Sequence, residues 1–238
     1  MKKFQLVYSG EIVTQTDNGM LIPIEEFTAG KYSSDEVFNE ISTSGGFLPR
    51  LQLFGGNSDA VKEGKIPIAH FGLVRSKDLI DDLGQFVHIL PICWRSKAMR
   101  LEEGNVVSVF NLEHPEFKAI MAESEEKDSK CLFGPEYLVW VFAIKTFATF
   151  LMGSKTSRRE ARHLKPLLGM AATLKCKLVS NKSYKWHSPQ VLPCTQTFDS
   201  SLMPAMDKVR EEAEKFNNPE ETTVERVEDP EAVHGRER

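Results

Sequence analysis

What most constrains this chain is the length of its apolar runs: between residues 47 and 194 they come in strand-sized blocks, closed by Gly, Pro, Asn or Asp. Short runs rich in β-branched and aromatic residues bury their side chains most readily as strands. Phe47-Leu48-Pro49-Arg50-Leu51-Gln52-Leu53-Phe54, stopped by Gly55-Gly56-Asn57-Ser58, is the first, and 66–74, 85–94 and 106–110 follow. Residues 138–144 and 147–152 are predicted to form a hairpin, with Trp140, Phe142 and Ile144 alternating onto one face. Residues 172–180 set Leu174, Cys176 and Leu178 against Lys175 and Lys177, the pattern of a strand with one core face and one cationic face. After Asn181-Lys182, residues 183–194 resume with Tyr184 and Trp186 on one side and Lys185 and His187 on the other, which predicts a second hairpin.

Helical signals are fewer. Residues 115–126 carry Phe117, Ile120 and Met121 at helical spacing and run into a polar loop at 124–130. Ser157-Arg158-Arg159-Glu160 reads as a capping box, with Ser157 as N-cap and Glu160 reciprocating, and Pro166 and Gly169 stop the helix. Strands, a helix, then two more strands give the expected fold class: mainly β, a β-rich α+β chain, built as an OB-fold-like five-stranded barrel with an inserted short helix.

The flanks differ in composition, which divides the chain into 1–46, 47–198 and 199–238. Residues 4–13 and 20–27 read as an N-terminal β-hairpin turned at Thr16-Asp17-Asn18-Gly19, with 28–46 as a connector. From Asp199 one helix is predicted over 205–216, with Met206, Val209, Ala213 and Phe216 on one stripe. Residues 217–238, charged and punctuated by proline, are expected to form a disordered acidic tail.

Charge sharpens this division. Residues 1–45 carry a net −4, 46–198 a net +6 and 199–238 a net −6, and within the middle 132–198 holds ten Lys or Arg against Glu136 and Glu160 alone. Such a field attracts polyanions. With 41% hydrophobic and 27% charged residues the composition excludes a collagen-like, wholly disordered or membrane-spanning chain. The longest apolar stretch, 138–153, is interrupted by Lys145 and falls short of the roughly 20 residues a membrane helix needs. Met1-Lys2-Lys3-Phe4 leads into no apolar block of a secretory signal, and Cys93, Cys131, Cys176 and Cys194 are far apart with no CxxC. The expected compartment is therefore the cytoplasm, with reduced thiols.

The chain shows no phosphate loop, no GxGxxG after a strand, no GxSxG and no HExxH. Gly153-Ser154-Lys155-Thr156 superficially resembles the end of a phosphate loop, but Ala148 stands where the upstream glycine belongs. None of the six histidines pairs with another His or Cys at ligand spacing, though His187 and Cys194 could meet in the fold. Asp78, Asp81 and Asp82 read as a solvated turn, and are acids that could bind a divalent metal in a nuclease. No cofactor is expected.

Cations interleaved with aromatics remain. Single-stranded nucleic acid needs cations for its phosphates and flat rings for its unpaired bases. Trp94-Arg95-Ser96-Lys97-Ala98-Met99-Arg100 sets an indole beside three cations, and Lys155, Arg158, Arg159, Arg162 and Lys165 crowd the predicted helix. Lys175, Lys177, Lys182 and Lys185 flank Tyr184 and Trp186 in the second hairpin. Phosphate contacts are assigned to these cations other than Lys165, and base stacking to Trp94, Tyr184 and Trp186.

Leu48-Pro49-Arg50-Leu51-Gln52-Leu53, Val61-Lys62-Glu63-Gly64-Lys65, Ser154-Lys155-Thr156-Ser157-Arg158-Arg159-Glu160 and Lys185-Trp186-His187-Ser188-Pro189 together resemble a group of bacteriophage proteins, and the architecture resembles that of phage OB-fold single-stranded DNA-binding proteins. The resemblance spans about residues 47–195. It implies a non-enzymatic protein of low sequence specificity that coats single-stranded DNA in phage-like replication or recombination, in the host cytoplasm. It also implies an acidic tail that contacts replication or recombination proteins; residues 211–231 match in charge, while Val233-His234-Gly235-Arg236-Glu237-Arg238 depart from the pattern. Self-association is left open. Two other functions fit the residues: a virion or host-factor-binding protein without nucleic-acid affinity, using 138–152 or the acidic ends, and a metal-dependent nuclease.

Overall fold

The computed structural model describes residues 48–76, 79–102, 105–126, 129–181 and 184–217, with the backbone alone at 102 and 105 and in the short strands at 6–8, 11–15, 21–23 and 227–228. The chain is mainly β. Strands β1 (Leu6–Tyr8), β2 (Glu11–Gln15) and β3 (Leu21–Pro23) form one antiparallel sheet. The expected N-terminal hairpin thus has three strands, because the first run is itself two: Leu6 faces Val13, and Val13 in turn faces Pro23. Its predicted Asn-Gly turn lies outside the described residues.

The second sheet has ten strands: β4 (Arg50–Leu53), β5 (Phe71–Val74), β6 (Ile80–Gly84), β7 (Phe86–Glu102), β8 (Asn105–Val109), β9 (Cys131–Val141), β10 (Thr146–Leu151), β11 (Ala172–Ser180), β12 (Lys185–Pro193) and β13 (Val227–Glu228). Their order is β12-β11-β7-β9-β10-β4-β5-β6, with β8 on β7 and β13 on β8. All neighbours are antiparallel except β10 and β4, which pair in parallel at Thr149 and Arg50 alone. The sheet does not close, and the expected five-stranded barrel is not what forms. Its 17-residue strand β7 is the cause: it serves β11 at its start, β9 along its middle and β8 at its end, so the sheet spreads sideways.

Both predicted hairpins are present, as β9–β10 and β11–β12. The predicted strand at 66–74 shrinks to β5, since Pro67 cannot donate to a ladder and Ala69 takes a left-handed φ of 67°. Helices α1 (Asp59–Lys62), α2 (Pro115–Glu123), α3 (Lys155–Leu164) and α4 (Met206–Asn217) complete the chain. Among the described residues no helix is long and apolar enough to cross a membrane.

Period-two alternation gives the sheet two buried faces. Ile89, Tyr137, Val139, Phe150 and Leu174 point to one and pack against Ala161 and Leu164 of α3, whose Ala161 carbonyl accepts the Tyr137 hydroxyl at 3.0 Å. Leu90, Leu138, fully buried Trp140 and Phe147 point to the other. There Met206, Val209, Ala213 and Phe216 of α4 cover them, the stripe the sequence predicts, and Trp140 Nε1–H donates to the Leu202 carbonyl at 2.8 Å. Val227–Glu228 pairs with β8 inside the segment expected to be disordered; the rest of that tail lies outside the described residues.

Helix α3 begins three residues earlier than the capping box predicts. Ser154 is the N-cap, accepting from the Ser157 amide at 3.2 Å, and Ser157 is buried as the third helical residue. Glu160 is thereby released from reciprocal capping. Its Oε2 accepts the Val191 amide at 3.3 Å, covering the open edge of β12. Pro166 ends the helix in a 3₁₀ turn, and Gly169 follows at φ +78°.

Candidate nucleic-acid interface

Strand β7 separates the cluster at 94–100 that looks continuous in the sequence. Successive side chains on a strand point to opposite faces, so Trp94 goes to the α3 side while Arg95 and Lys97 go to the α4 side. There Arg95 Nε and Lys97 Nζ donate to the two carboxylate oxygens of buried Glu136, at 2.8 and 2.9 Å. Burial alone would raise the Glu136 carboxyl, but the two cations outweigh it and hold it below the usual carboxylate range. Arg95 also donates from Nη1 to the Phe216 carbonyl at 2.7 Å and lies 3.7 and 4.1 Å from the ring centres of Phe110 and Phe216. It fastens the end of α4 to the sheet. Arg100 is held by Glu116 and Glu123 of α2. Arg95, Lys97 and Arg100, which the sequence assigns to phosphate, are thus each paired with an internal carboxylate.

On the α3 side the result is different. Trp94, Phe133, Pro135, Tyr137 and Phe117 form the floor of a groove of about 330 Å³ between α2 and α3. Arg158, Arg162 and Lys165 stand on its rim, as their helical spacing predicts. Lys165 Nζ lies 3.9 Å from the centre of the Trp94 ring, and the Arg158 guanidinium 4.0 Å from that of Phe133. Among the described residues no carboxylate lines the groove.

The rim cations are not equivalent. Arg158, assigned to phosphate from the sequence, is a bracket here, donating to the Gly153 and Phe133 carbonyls at 2.8 and 3.2 Å and to Glu125 at 3.2 Å. Arg162 and Lys165, with Lys155 and Arg159 on the outer surface of α3, are exposed and have no carboxylate partner among the described residues. Lys165, Phe133 and Tyr137 are absent from the sequence-based site. Lys165 was legible from its spacing with Arg158 and Arg162. Phe133 and Tyr137 were not, because only cross-strand register sets Tyr137 beside Trp94.

The β11–β12 hairpin runs past the start of β7, whose last partner is Lys175, and so projects as an arm. Lys175, Lys177, Lys185, Leu178 and Tyr184 are exposed on it. Lys175 and Lys177 share a face with Trp186, opposite Leu178 and Lys185. Trp186 is half-buried, its Nε1–H donating to Thr156 Oγ1 of α3 at 3.3 Å, so this indole is pinned where the sequence expects it to be free. Lys182 lies outside the described residues. Since α3 touches the groove through Ala161 and Arg162 and the arm through Thr156 and Glu160, groove, helix and arm form one cationic band.

The residues considered for other chemistry fall as follows. Asp81 is bound by Arg75 at 2.8 Å and Asp82 by His70 at 2.9 Å, while Asp78 lies outside the described residues. Among the described residues no group of three or more His, Cys, Asp or Glu is placed to hold a metal. Cys194 meets His88 rather than His187, at 3.5 Å from Nδ1. No protein-family model, curated protein or solved structure matches the chain.

Proposed function

We propose that this chain is a non-enzymatic binding protein for single-stranded nucleic acid, holding the strand along the groove, the outer surface of α3 and the β11–β12 arm. The observation that carries the reading is the groove itself: an aromatic floor of Trp94, Phe133 and Tyr137 under cations, with no carboxylate among the described lining residues. A duplex presents phosphates but hides its base faces, whereas a single strand presents both, and each stacked base is worth about 1–3 kcal/mol. Lys155, Arg159, Arg162, Lys165, Lys175, Lys177 and Lys185 supply phosphate contacts, and Trp94 and Tyr184 supply stacking. An OB barrel is not required, because the band is built by α3 lying across an open sheet. The phage-like resemblance favours DNA and a role in replication or recombination, and free cysteines favour a reducing cytoplasm.

The test is fluorescence anisotropy of labelled oligo-dT and a matched duplex over a salt series with EDTA present. For single strands log affinity falls with log salt by about 0.7 per phosphate neutralised; the duplex binds more weakly. Equal binding of both forms, or none at low salt, overturns the reading. A second reading, a protein-binding groove, draws on Leu112 and Met121, which line the groove and are 53% and 41% exposed. It predicts a salt-insensitive complex with a protein and no oligonucleotide affinity.

A further inference from the structure

We infer that the cleft where β4 and β10 part company is a binding site for a phosphate-class anion. This site is separate from the groove and does not rest on the nucleic-acid reading. The two strands pair only at Thr149 and Arg50. Beyond that point β10 runs on through Gly153 and Ser154 into α3 while β4 continues to Leu53. The opening between them, about 180 Å³, is closed on its third side by Trp186 and His187 of β12.

Three observations point to an anion there. The first is charge. Glu136 is the one carboxylate among the described residues lining the cleft, and it is already held by both Lys97, which also lines it, and Arg95. The three side chains together carry one positive charge in excess, and half-buried Lys97 brings that charge to the cleft wall. The second is the start of α3. Ser154 and Ser157 face the cleft from its first turn, where the helix presents amide hydrogens and the positive end of its dipole. The third is an orphan: half-buried His187 lines the cleft, and its buried Nδ1 has no hydrogen-bond partner among the described residues. Buried polar atoms are nearly always satisfied, and a phosphate oxygen would accept from this nitrogen. The space exceeds the roughly 30 Å³ of one water molecule, and Arg50 and Gln52 add donors on the β4 side. The indole of Trp186, fixed by Thr156, is also among the lining residues.

The probe is inorganic phosphate, titrated into the full chain free of nucleic acid at constant ionic strength, with calorimetry and thermal melting as readouts. Adenosine, AMP and an oligo-dT with and without a 5′-phosphate are run in parallel. The inference expects a saturable rise in melting temperature with phosphate, none with adenosine, and at least about tenfold weaker binding in His187→Leu and Arg50→Met. Tighter binding of AMP identifies a free nucleotide as the source of the group, and tighter binding of the 5′-phosphorylated strand identifies a strand end. Both variants are checked by circular dichroism, and each can stand alone if the other fails to fold. Absence of saturable binding at phosphate concentrations on the order of ten millimolar, or equal binding by wild type and a folded variant, overturns it. Phosphate binding without oligonucleotide binding would leave this site standing and remove the single-strand reading.

Discussion

Lys165 Nζ stands 3.9 Å from the centre of the Trp94 ring, so the largest ring of the groove and one of its rim cations are already in contact. A base that stacks on Trp94 takes the place of that ammonium group and frees it for the adjacent phosphate. Trp94→Leu should therefore weaken oligo-dT binding by about 1–3 kcal/mol, on the order of five- to a hundredfold. Intrinsic fluorescence checks the mechanism. Quenching on binding should be largely lost in this variant, whereas fully buried Trp140 contributes none. Unchanged affinity and quenching in a folded Trp94→Leu chain would remove the stacking assignment.

Glu136 is expected to dominate the acid sensitivity of the fold. Its carboxyl is depressed in the native state, so its contribution is complete above the ordinary glutamate value of 4.5 and is lost as pH falls through the lower native value. Glu136→Gln leaves Arg95 and Lys97 without a buried counter-charge and should cost about 3–5 kcal/mol in urea denaturation near neutral pH. Because Arg95 also fastens α4, amide exchange over 206–217 should accelerate in this variant. A loss confined to a few tenths of a kcal/mol would mean that the pair is solvated and that α4 is held by its apolar stripe alone.

At the start of α3 the two serines separate cleanly. Ser154→Ala removes the acceptor for the Ser157 amide and should lower stability by about 1 kcal/mol, measured as a shift in denaturation midpoint at unchanged slope. Ser157→Ala, which the capping-box reading would rank as the damaging change, keeps that acceptor and should cost less. The reverse ranking would return the helix start to Ser157.

The cysteines should differ in reactivity. Burial pushes the Cys93 thiol up to about 12, and burial together with the Glu123 hydrogen bond pushes Cys131 up to about 11. Neither forms appreciable thiolate near pH 8. Cys194, half-buried beside His88, and Cys176 should be alkylated first by iodoacetamide, with all four labelled after denaturation. Peptide mass spectrometry reads the order, and early labelling of Cys93 in native protein would contradict the packing of the α4 face.

The pattern of strands was legible because each run is amphipathic on its own terms: Leu174 and Cys176 against Lys175 and Lys177, or the stripe Met206, Val209, Ala213 and Phe216. What escaped is what depends on partners. Strand β7 reads as ending at Trp94 because Arg95, Lys97 and Arg100 look solvent-facing. They continue the strand because Glu136, Glu116 and Glu123, remote in sequence, neutralise them. Cation-rich β-sequence cannot distinguish buried ion pairs from a phosphate surface without knowing the register that brings β9 alongside. The same limit hid Phe133 and Tyr137. It did not hide Arg162 and Lys165, since helical spacing is local.

The central claim is that the α3 side of the sheet, and not the cationic field at large, holds a single strand. The most direct measurement compares oligo-dT affinity across a salt series for wild type, the double reversal Arg162→Glu with Lys165→Glu, and the control Lys62→Glu on α1, which lies outside the band. The account predicts that the double reversal lowers affinity more than tenfold and reduces the salt slope by about 1.4, the value for two phosphates on a single strand, while the control matches wild type. Equal losses in the double reversal and the control, or none in either, would contradict it.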